Sequence, residues 1–143
     1  MARDGMGHAS VETTSRSTEI PEQMPGAFIP LLSADESIQL GLVSTPEGGR
    51  KMARAFLQMG EGDELSNADL ADALGEATNI LAGFVKRNMQ PHLARVQLGL
   101  PLYVNGHLEM TERVRALVTH LKMGDIPLAV IVLRSAAYQP NSA

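Results

Sequence analysis

The pattern of apolar and polar positions predicts two strands near the start of the chain. Residues 27–32 are mostly apolar, and residues 37–43 alternate between apolar and polar side chains, which is typical of strands with a buried face. The polar residues 33–36 between them suit a hairpin loop. Residues 1–24 show neither helical nor strand periodicity and are rich in Ser, Thr and Glu. We therefore expect a disordered tail there, followed by one domain at residues 25–143.

Two helices are predicted in the middle of the chain. The first begins after Thr45, a favourable N-cap residue, with Pro46 in the first helical position, and is expected to end at Gly60. The second covers residues 68–89. Its start is indicated by Ser66, which forms a capping pattern with the acidic residue three positions on, and a proline soon after its end prevents further helix.

The rest of the chain predicts three more strands. Residues 96–104 alternate cleanly and are followed by Asn105-Gly106, a strong turn signal. Residues 113–122 and 127–134 flank the segment 123–126, which suits a second hairpin. The order strand-strand-helix-helix-strand-strand-strand predicts an α+β fold, in which two helices pack on one face of a largely antiparallel β-sheet.

Composition and charge narrow the class of protein. The chain has 143 residues, the length of one domain, and is 44% hydrophobic but only 3% aromatic, so its core must be mainly aliphatic. A formal charge of −4 argues against nucleic acid or an anionic membrane as the main partner. The absence of cysteine excludes disulfides and a thiol nucleophile. No apolar secretory segment opens the chain, and the longest apolar run, residues 126–133, is too short to cross a bilayer. We expect a cytoplasmic protein.

The second helix carries a polar stripe. An advance of 100° per residue places five of its residues within about 40° of one line along the helix; this polar stripe comprises Asp72, Glu76, Asn79, Gly83 and Lys86. The opposite side carries the apolar residues that we expect to be buried, namely Leu70, Leu74, Ala77, Leu81, Phe84 and Val85. Glu76 and Asn79 are three residues apart, so their Cβ atoms are about 5–6 Å apart, and both side chains can reach the same external object.

The residues of the stripe leave several interpretations open. Glycine costs about 1 kcal/mol relative to alanine inside a helix. At Gly83, one turn beyond Asn79, it would let the backbone of another protein come close; alternatively, Gly83 faces the other helix at a close crossing. Glu76 and Asn79 are also ordinary residues of a solvated helix surface. Gly75, on the flank of the stripe, is interpreted as such a packing glycine, which faces the other helix at a close crossing.

The pattern Asp72-x-x-x-Glu76-x-x-Asn79, within the string DALGEATNILAG, resembles the signature of the chemotaxis phosphatase family that includes CheX, CheC and FliY. It is most similar to CheX, because one such motif is present and CheC-type proteins usually carry two. The family motif continues to a proline some two dozen residues on, matched by Pro101 in LGLPLYVNG with slightly shorter spacing. The resemblance covers roughly residues 26–134 and implies the CheX/CheC-like α+β fold.

The resemblance also implies an enzyme that hydrolyses the aspartyl phosphate of a CheY-like response regulator. The regulator would supply a divalent metal (Mg²⁺) and a lysine, and this protein would position the attacking water without a cofactor or metal of its own. On the family pattern Asn79 orients the water through its neutral amide, and Glu76 pairs with the regulator's lysine. Asp72, Gly83 and Lys86 would contact the partner. Family members of the CheX type usually begin with a helix, which is not predicted here, and they pair as homodimers.

Two alternatives to catalysis remain open on the sequence. The chain could be a non-catalytic module that binds a response regulator or a flagellar-switch component, or a structural dimerisation domain whose helix is merely polar outside. The presence of both Glu76 and Asn79 favours catalysis. The four histidines are scattered without metal-ligand spacing, and the sequence contains neither a Ser-His-Asp ordering nor a phosphate-binding glycine loop. A free-standing hydrolase is therefore not predicted.

Overall fold

The computed structural model describes residues 11–17, 24–32, 37–60, 62–88, 97–109 and 111–135. In chain order its elements are β1 (Val11–Ser17), β2 (Met24–Leu32), β3 (Ser37–Ser44), α1 (Pro46–Phe56), α2 (Asn67–Asn88), β4 (Gln97–Leu98), β5 (Leu102–Gly106), β6 (Val114–Met123) and β7 (Ile126–Ser135). The strands form one antiparallel sheet in the order β1-β6-β7-β3-β2-β4, with β5 also paired to β2. The predicted fold class is confirmed.

Two hairpins form the centre of the sheet and bury its helix-facing side. In the β2–β3 hairpin, Ile29 lies opposite Leu40, and both side chains are fully buried beneath α2 with Ala82. In the β6–β7 hairpin, Gly124 occupies the turn with φ 64°, a left-handed conformation that glycine adopts without strain. The four strands predicted for these two hairpins and the turn between β6 and β7 are therefore confirmed, whereas residues 33–36 lie outside the described residues.

Helix α1 begins where the sequence predicts and ends earlier. The Thr45 side chain accepts a hydrogen bond from the backbone N–H of Gly48 at 2.9 Å. The helix ends at Phe56, so the predicted end at Gly60 is wrong, because Gln58 adopts the left-handed conformation (φ 56°). Two hydrogen bonds close this helix end, Gln58 N to Ala55 O at 3.2 Å and Met59 N to Arg54 O at 2.8 Å.

An exposed ion pair joins α1 to the β6–β7 turn. Lys51 Nζ lies 2.9 Å from Asp125 Oδ2, and this hydrogen bond holds the pKa of Asp125 below its ordinary value. Because both groups are solvated, the pair contributes little to stability. The ion pair shows that α1 lies next to the β6–β7 turn.

The prediction of a disordered tail is wrong for part of residues 1–24. Residues 11–17 form β1, which pairs antiparallel with β6 at one edge of the sheet, and β2 already begins at Met24. An edge strand can be held by its backbone hydrogen bonds even when most of its side chains are polar. β1 is such a strand, so its sequence shows no alternation of apolar and polar residues from which a strand could be predicted. The sheet of the domain therefore begins before residue 25, and residues 1–10 and 18–23 lie outside the described part.

The continuous strand predicted at residues 96–104 is interrupted by a β-bulge. The registers are Leu31 opposite Leu98 in the β2–β4 ladder and Phe28 opposite Leu102 in the β2–β5 ladder. Two residues of β2 therefore face three residues of the edge, 99–101, so that one residue is extra. Gly99 N donates to Pro30 O at 2.9 Å on one side of this bulge. The extra residue lets the following segment turn towards α2.

The turn predicted at Asn105-Gly106 is also wrong. These two residues lie inside β5, opposite Pro25 and Met24 of β2. A dipeptide that favours a hairpin locally is here held extended by pairing along the first part of β2. No helix in the described ranges is both long and apolar enough to span a membrane.

Candidate functional site

Helix α2 is one uninterrupted helix from Asn67 to Asn88. Its predicted N-terminal cap is confirmed, because Ser66 Oγ accepts the backbone N–H of Asp69 at 3.0 Å. The helix predicted at residues 68–89 is confirmed as far as Asn88, the last residue described in this segment. A continuous helix supported by the sheet can hold surface side chains in a fixed relative geometry.

The buried side of α2 fixes the rotation of the helix. Leu74 is 1% exposed and packs with α1 and the sheet. On another side, Thr78 is fully buried, and its hydroxyl donates to Leu74 O at 2.8 Å and lies 3.4 Å from Ala27 O of β2. Since Thr78 directly precedes Asn79, its burial against β2 directs the Asn79 side chain away from the sheet.

The polar stripe faces solvent over most of its length. Asp72, Glu76 and Asn79 are exposed, as the sequence predicts, whereas Gly83 and Lys86 are half-buried. Glu76 and Asn79 are neighbours on this surface, about 5–6 Å apart at Cβ. The structure therefore brings the two proposed catalytic side chains together on one open surface.

Arg87 places a second cation beside the stripe, which was not predicted from the sequence. A Cβ built on Gly83 would lie 3.2 Å from Arg87 Nη1, and among the described residues no other heavy atom outside the backbone of α2 and the residues next to Gly83 would come within 4 Å of it. Gly83 therefore does not face α1 at a close crossing, and the guanidinium of Arg87 covers it instead. The spacing of four residues between Gly83 and Arg87 is the signal that would have identified this contact.

Pro101 packs against the flank of the stripe. A Cβ on the buried Gly75 would lie 3.5 Å from Pro101 Cγ and 3.6 Å from Pro101 Cβ. Gly75 therefore packs on Pro101, and the prediction that it faces α1 at a close crossing is wrong. The two separated parts of the sequence motif are thus in contact, because the bulge before β5 brings Pro101 onto α2 beside Glu76.

Exposed apolar side chains lie on α2 beside the stripe and in the bulge next to Pro101. Ile80 and Phe84 on α2 are 53% and 47% exposed, and Leu100 in the bulge is 87% exposed. The prediction that Phe84 is buried is wrong, because α1 ends at Phe56 and packs its Met52 and Ala53 against the first half of α2. The described part of the chain contains nothing comparable to α1 over the second half.

Charge changes sign along the stripe. Asp72 and Glu76 precede Asn79 on the stripe, and Lys86 and Arg87 lie in the last turn of α2, where the helix dipole favours cations. The described residues contain no group of three or more metal-ligating side chains. Burial raises the pKa of the Tyr103 hydroxyl, which packs against the core and takes no part in the stripe. The stripe can therefore orient a water through the Asn79 amide and bind a charged partner through its carboxylates and cations.

The chain matches a family model. The model described as "Chemotaxis phosphatase CheX" matches residues 27–121, a range that includes the polar stripe and Pro101. No match was found among curated protein sequences.

Solved structures show the same fold at low sequence identity. The chain is similar to the chemotaxis protein CheX from Desulfovibrio desulfuricans, with 13% identity, coverage of 94% of this chain and 91% of that one, and a TM-score of 0.72. A CheC-like superfamily protein from Shewanella sp. PV-4 gives 10% identity, 94% and 90% coverage, and a TM-score of 0.76. The CheX-CheY-BeF3-Mg²⁺ complex from Borrelia burgdorferi gives 15% identity, 94% and 90% coverage, and a TM-score of 0.70.

Proposed function

Because this chain belongs to the CheX family of chemotaxis phosphatases, we propose that it dephosphorylates a CheY-like response regulator by positioning a water for attack on the aspartyl phosphate. The observation that carries the proposal is the exposed pair Glu76 and Asn79 on a rigid helix, within the residues that match the family model. A relative of the same fold was solved in complex with CheY, which supports a regulator as the partner. We propose that the reaction takes place in the cytoplasm, and a homodimer remains a prediction.

The proposed reaction needs little chemistry from this protein, because an acyl phosphate is already reactive. The oxygen of water forms a bond to phosphorus, the bond from phosphorus to the aspartyl oxygen breaks, and its electron pair stays on the regenerated carboxylate. A proton of the water passes to phosphate or to solvent. The Asn79 amide accepts a hydrogen bond from the water and donates another without bringing negative charge to the phosphoryl group. The divalent metal expected for this chemistry belongs to the regulator.

One assay tests this proposal directly. The lifetime of candidate phosphorylated CheY-like regulators is measured with and without this protein, and with and without Mg²⁺. We expect a shorter lifetime only when the regulator carries its metal, and almost no activity on small phosphate esters, because half of the active site belongs to the partner. Binding of the regulator without a change in its lifetime would support the non-catalytic module instead.

Replacing Glu76 by alanine is expected to weaken the complex more than the chemistry. Its carboxylate is proposed to pair with the regulator's lysine, so its loss should raise the regulator concentration for half-maximal rate by about tenfold or more. Glu64→Ala is the matched control, because Glu64 is exposed but lies before α2. Steady-state kinetics measure both values. An unchanged half-maximal concentration with a reduced maximal rate would assign Glu76 to the chemical step.

Reversing the charge of Lys86 is expected to slow association with the acidic active site of a regulator. The effect should be larger at low salt than at high salt, because screening weakens long-range steering. Stopped-flow association rates at several ionic strengths measure it for Lys86→Glu and for the control Lys122→Glu on β6. Identical salt dependence in both variants would show that Lys86 does not assist the encounter.

The contact between Gly83 and Arg87 gives a prediction about what the glycine does. If Gly83 serves to seat the guanidinium of Arg87, Gly83→Ala should weaken regulator binding in the unmodified chain but have no further effect in the Arg87→Ala chain. If instead Gly83 makes room for the partner's backbone, the loss should be the same in both backgrounds. Dissociation constants of the four proteins form the required double-mutant cycle.

A further inference from the structure

The exposed apolar residues beside the polar stripe indicate an interaction surface. Leu100 is the most exposed of the large apolar side chains in the described residues, and Ile80 and Phe84 are about half exposed. Large exposed apolar side chains that gather around a polar centre are typical of protein interaction sites. We call Ile80, Phe84 and Leu100 the apolar frame.

The frame encloses the proposed catalytic pair from both sides. On the helix projection Ile80 lies about 80° from Asp72 in one direction and Phe84 about 120° in the same direction. Gly75 lies about 60° from Asp72 in the other direction, and Pro101 packs on it. Leu100 precedes Pro101 in the β-bulge and is therefore held at that second flank. Glu76 and Asn79 occupy the strip between the two flanks.

We propose that the apolar frame is the docking surface for the receiver domain of the phosphorylated regulator, and that it contributes affinity while Glu76 and Asn79 contribute pairing and chemistry. This inference rests on the proposed function. When the regulator covers the apolar frame, bulk water is excluded from that part of the contact. Hydrogen bonds made by the polar side chains next to the frame are then stronger than in open solvent.

Charge along the stripe supports a regulator as the occupant of this surface. An aspartyl-phosphate site presents a lysine together with negative carboxylate and phosphoryl groups. The stripe carries Glu76 before Asn79 and the cations Lys86 and Arg87 in the last turn of α2, so the two surfaces are complementary in one orientation. A second copy of this chain, with its α2 antiparallel, would also pair acidic with basic ends. That arrangement would bring the two Asn79 side chains near its axis and cover both catalytic pairs, which is incompatible with the proposed reaction.

The experiment measures binding separately from turnover. A CheY-like regulator with bound Mg²⁺ and beryllofluoride, a phosphoryl mimic, is titrated against the intact protein and three variants, Ile80→Ser, Phe84→Ser and Leu100→Ser. Leu102→Ser is the control, because Leu102 is 67% exposed but lies opposite Phe28, on the face of the sheet away from α2. Circular dichroism and sedimentation of each variant report its fold and its oligomeric state.

Each substitution in the frame is expected to raise the dissociation constant by about 10- to 100-fold, as the loss of one buried large apolar side chain predicts. The control Leu102→Ser should change neither the dissociation constant nor the rate at saturating regulator by more than about twofold. Unchanged dissociation constants in all three variants would overturn the inference. A dimer that dissociates in these variants while regulator binding is unaffected would overturn it in favour of self-association. Frame-dependent binding without hydrolysis would refute the proposed catalysis and leave the docking surface standing.

Discussion

Replacing Asn79 by alanine is expected to lower the maximal rate of regulator dephosphorylation by roughly 10²–10³-fold, by analogy with the loss of one preorganised hydrogen-bonding group. The amide is the group proposed to orient the attacking water, whereas docking is assigned to the apolar frame and to Glu76. Binding of the beryllofluoride-loaded regulator should therefore remain nearly unchanged. Since Asn79 is exposed, the free energy of unfolding should change by no more than about 0.5 kcal/mol.

Asn79→Asp is the sharper control for this prediction. The substitution keeps the shape of the side chain but places a negative charge against the phosphoryl group, and it removes the amide donor. It should be no more active than Asn79→Ala. If Asn79→Ala hydrolyses bound phosphoregulator at the unmodified rate under saturating conditions, the proposed positioning of water is wrong and α2 is only a docking surface.

Replacing Leu74 by alanine is expected to have the largest effect on stability, a loss of about 2–5 kcal/mol. Leu74 is 1% exposed and contacts both α1 and the sheet, so truncation leaves a cavity between three elements. Urea denaturation of Leu74→Ala measures the loss. The control is Asp72→Ala, two residues away on the exposed side of α2, which is expected to stay within about 0.5 kcal/mol. The rate per folded molecule should be unchanged, because Leu74 does not reach the stripe.

A loss of less than about 1 kcal/mol at Leu74 would show that α2 is not packed as the structure has it. The exposure of Glu76 and Asn79 would then lose its support, since both follow from which side of α2 is buried. The stability measurement therefore tests the geometry of the site independently of any regulator.

Helix α2 could be predicted from the sequence because its signals are local. The cap at Ser66, the 3.6-residue period and the exposed positions of Glu76 and Asn79 all depend on residues within one or two turns of each other. The motif containing Asp72 added the family and hence the expected chemistry. The same locality explains the correct N-cap of α1 at Thr45, where one side chain satisfies a backbone donor three residues on.

The surroundings of that helix depended on contacts between distant segments. β1 is polar along its sequence and forms only because β6 offers an unpaired edge. Phe84 has the periodicity of a buried residue but stays exposed, because α1 stops at Phe56, where Gln58 takes a left-handed conformation usually left to glycine. The local periodicity of a sequence predicts which side of a helix is apolar, but it does not predict whether another element covers that side.

The β-bulge shows the same limit at the site itself. Residues 96–104 alternate as one continuous strand would, yet the pairing of β2 with two separate edge segments inserts one extra residue at 99–101. That residue brings Pro101 onto Gly75 and leaves Leu100 in solvent. The alternation of apolar and polar residues can be recognised in one strand alone, whereas the register depends on the strand with which it pairs. The helix that carries Glu76 and Asn79 could therefore be predicted from its own residues. The exposure of the apolar frame could not, because it depends on how the strands of the sheet pair.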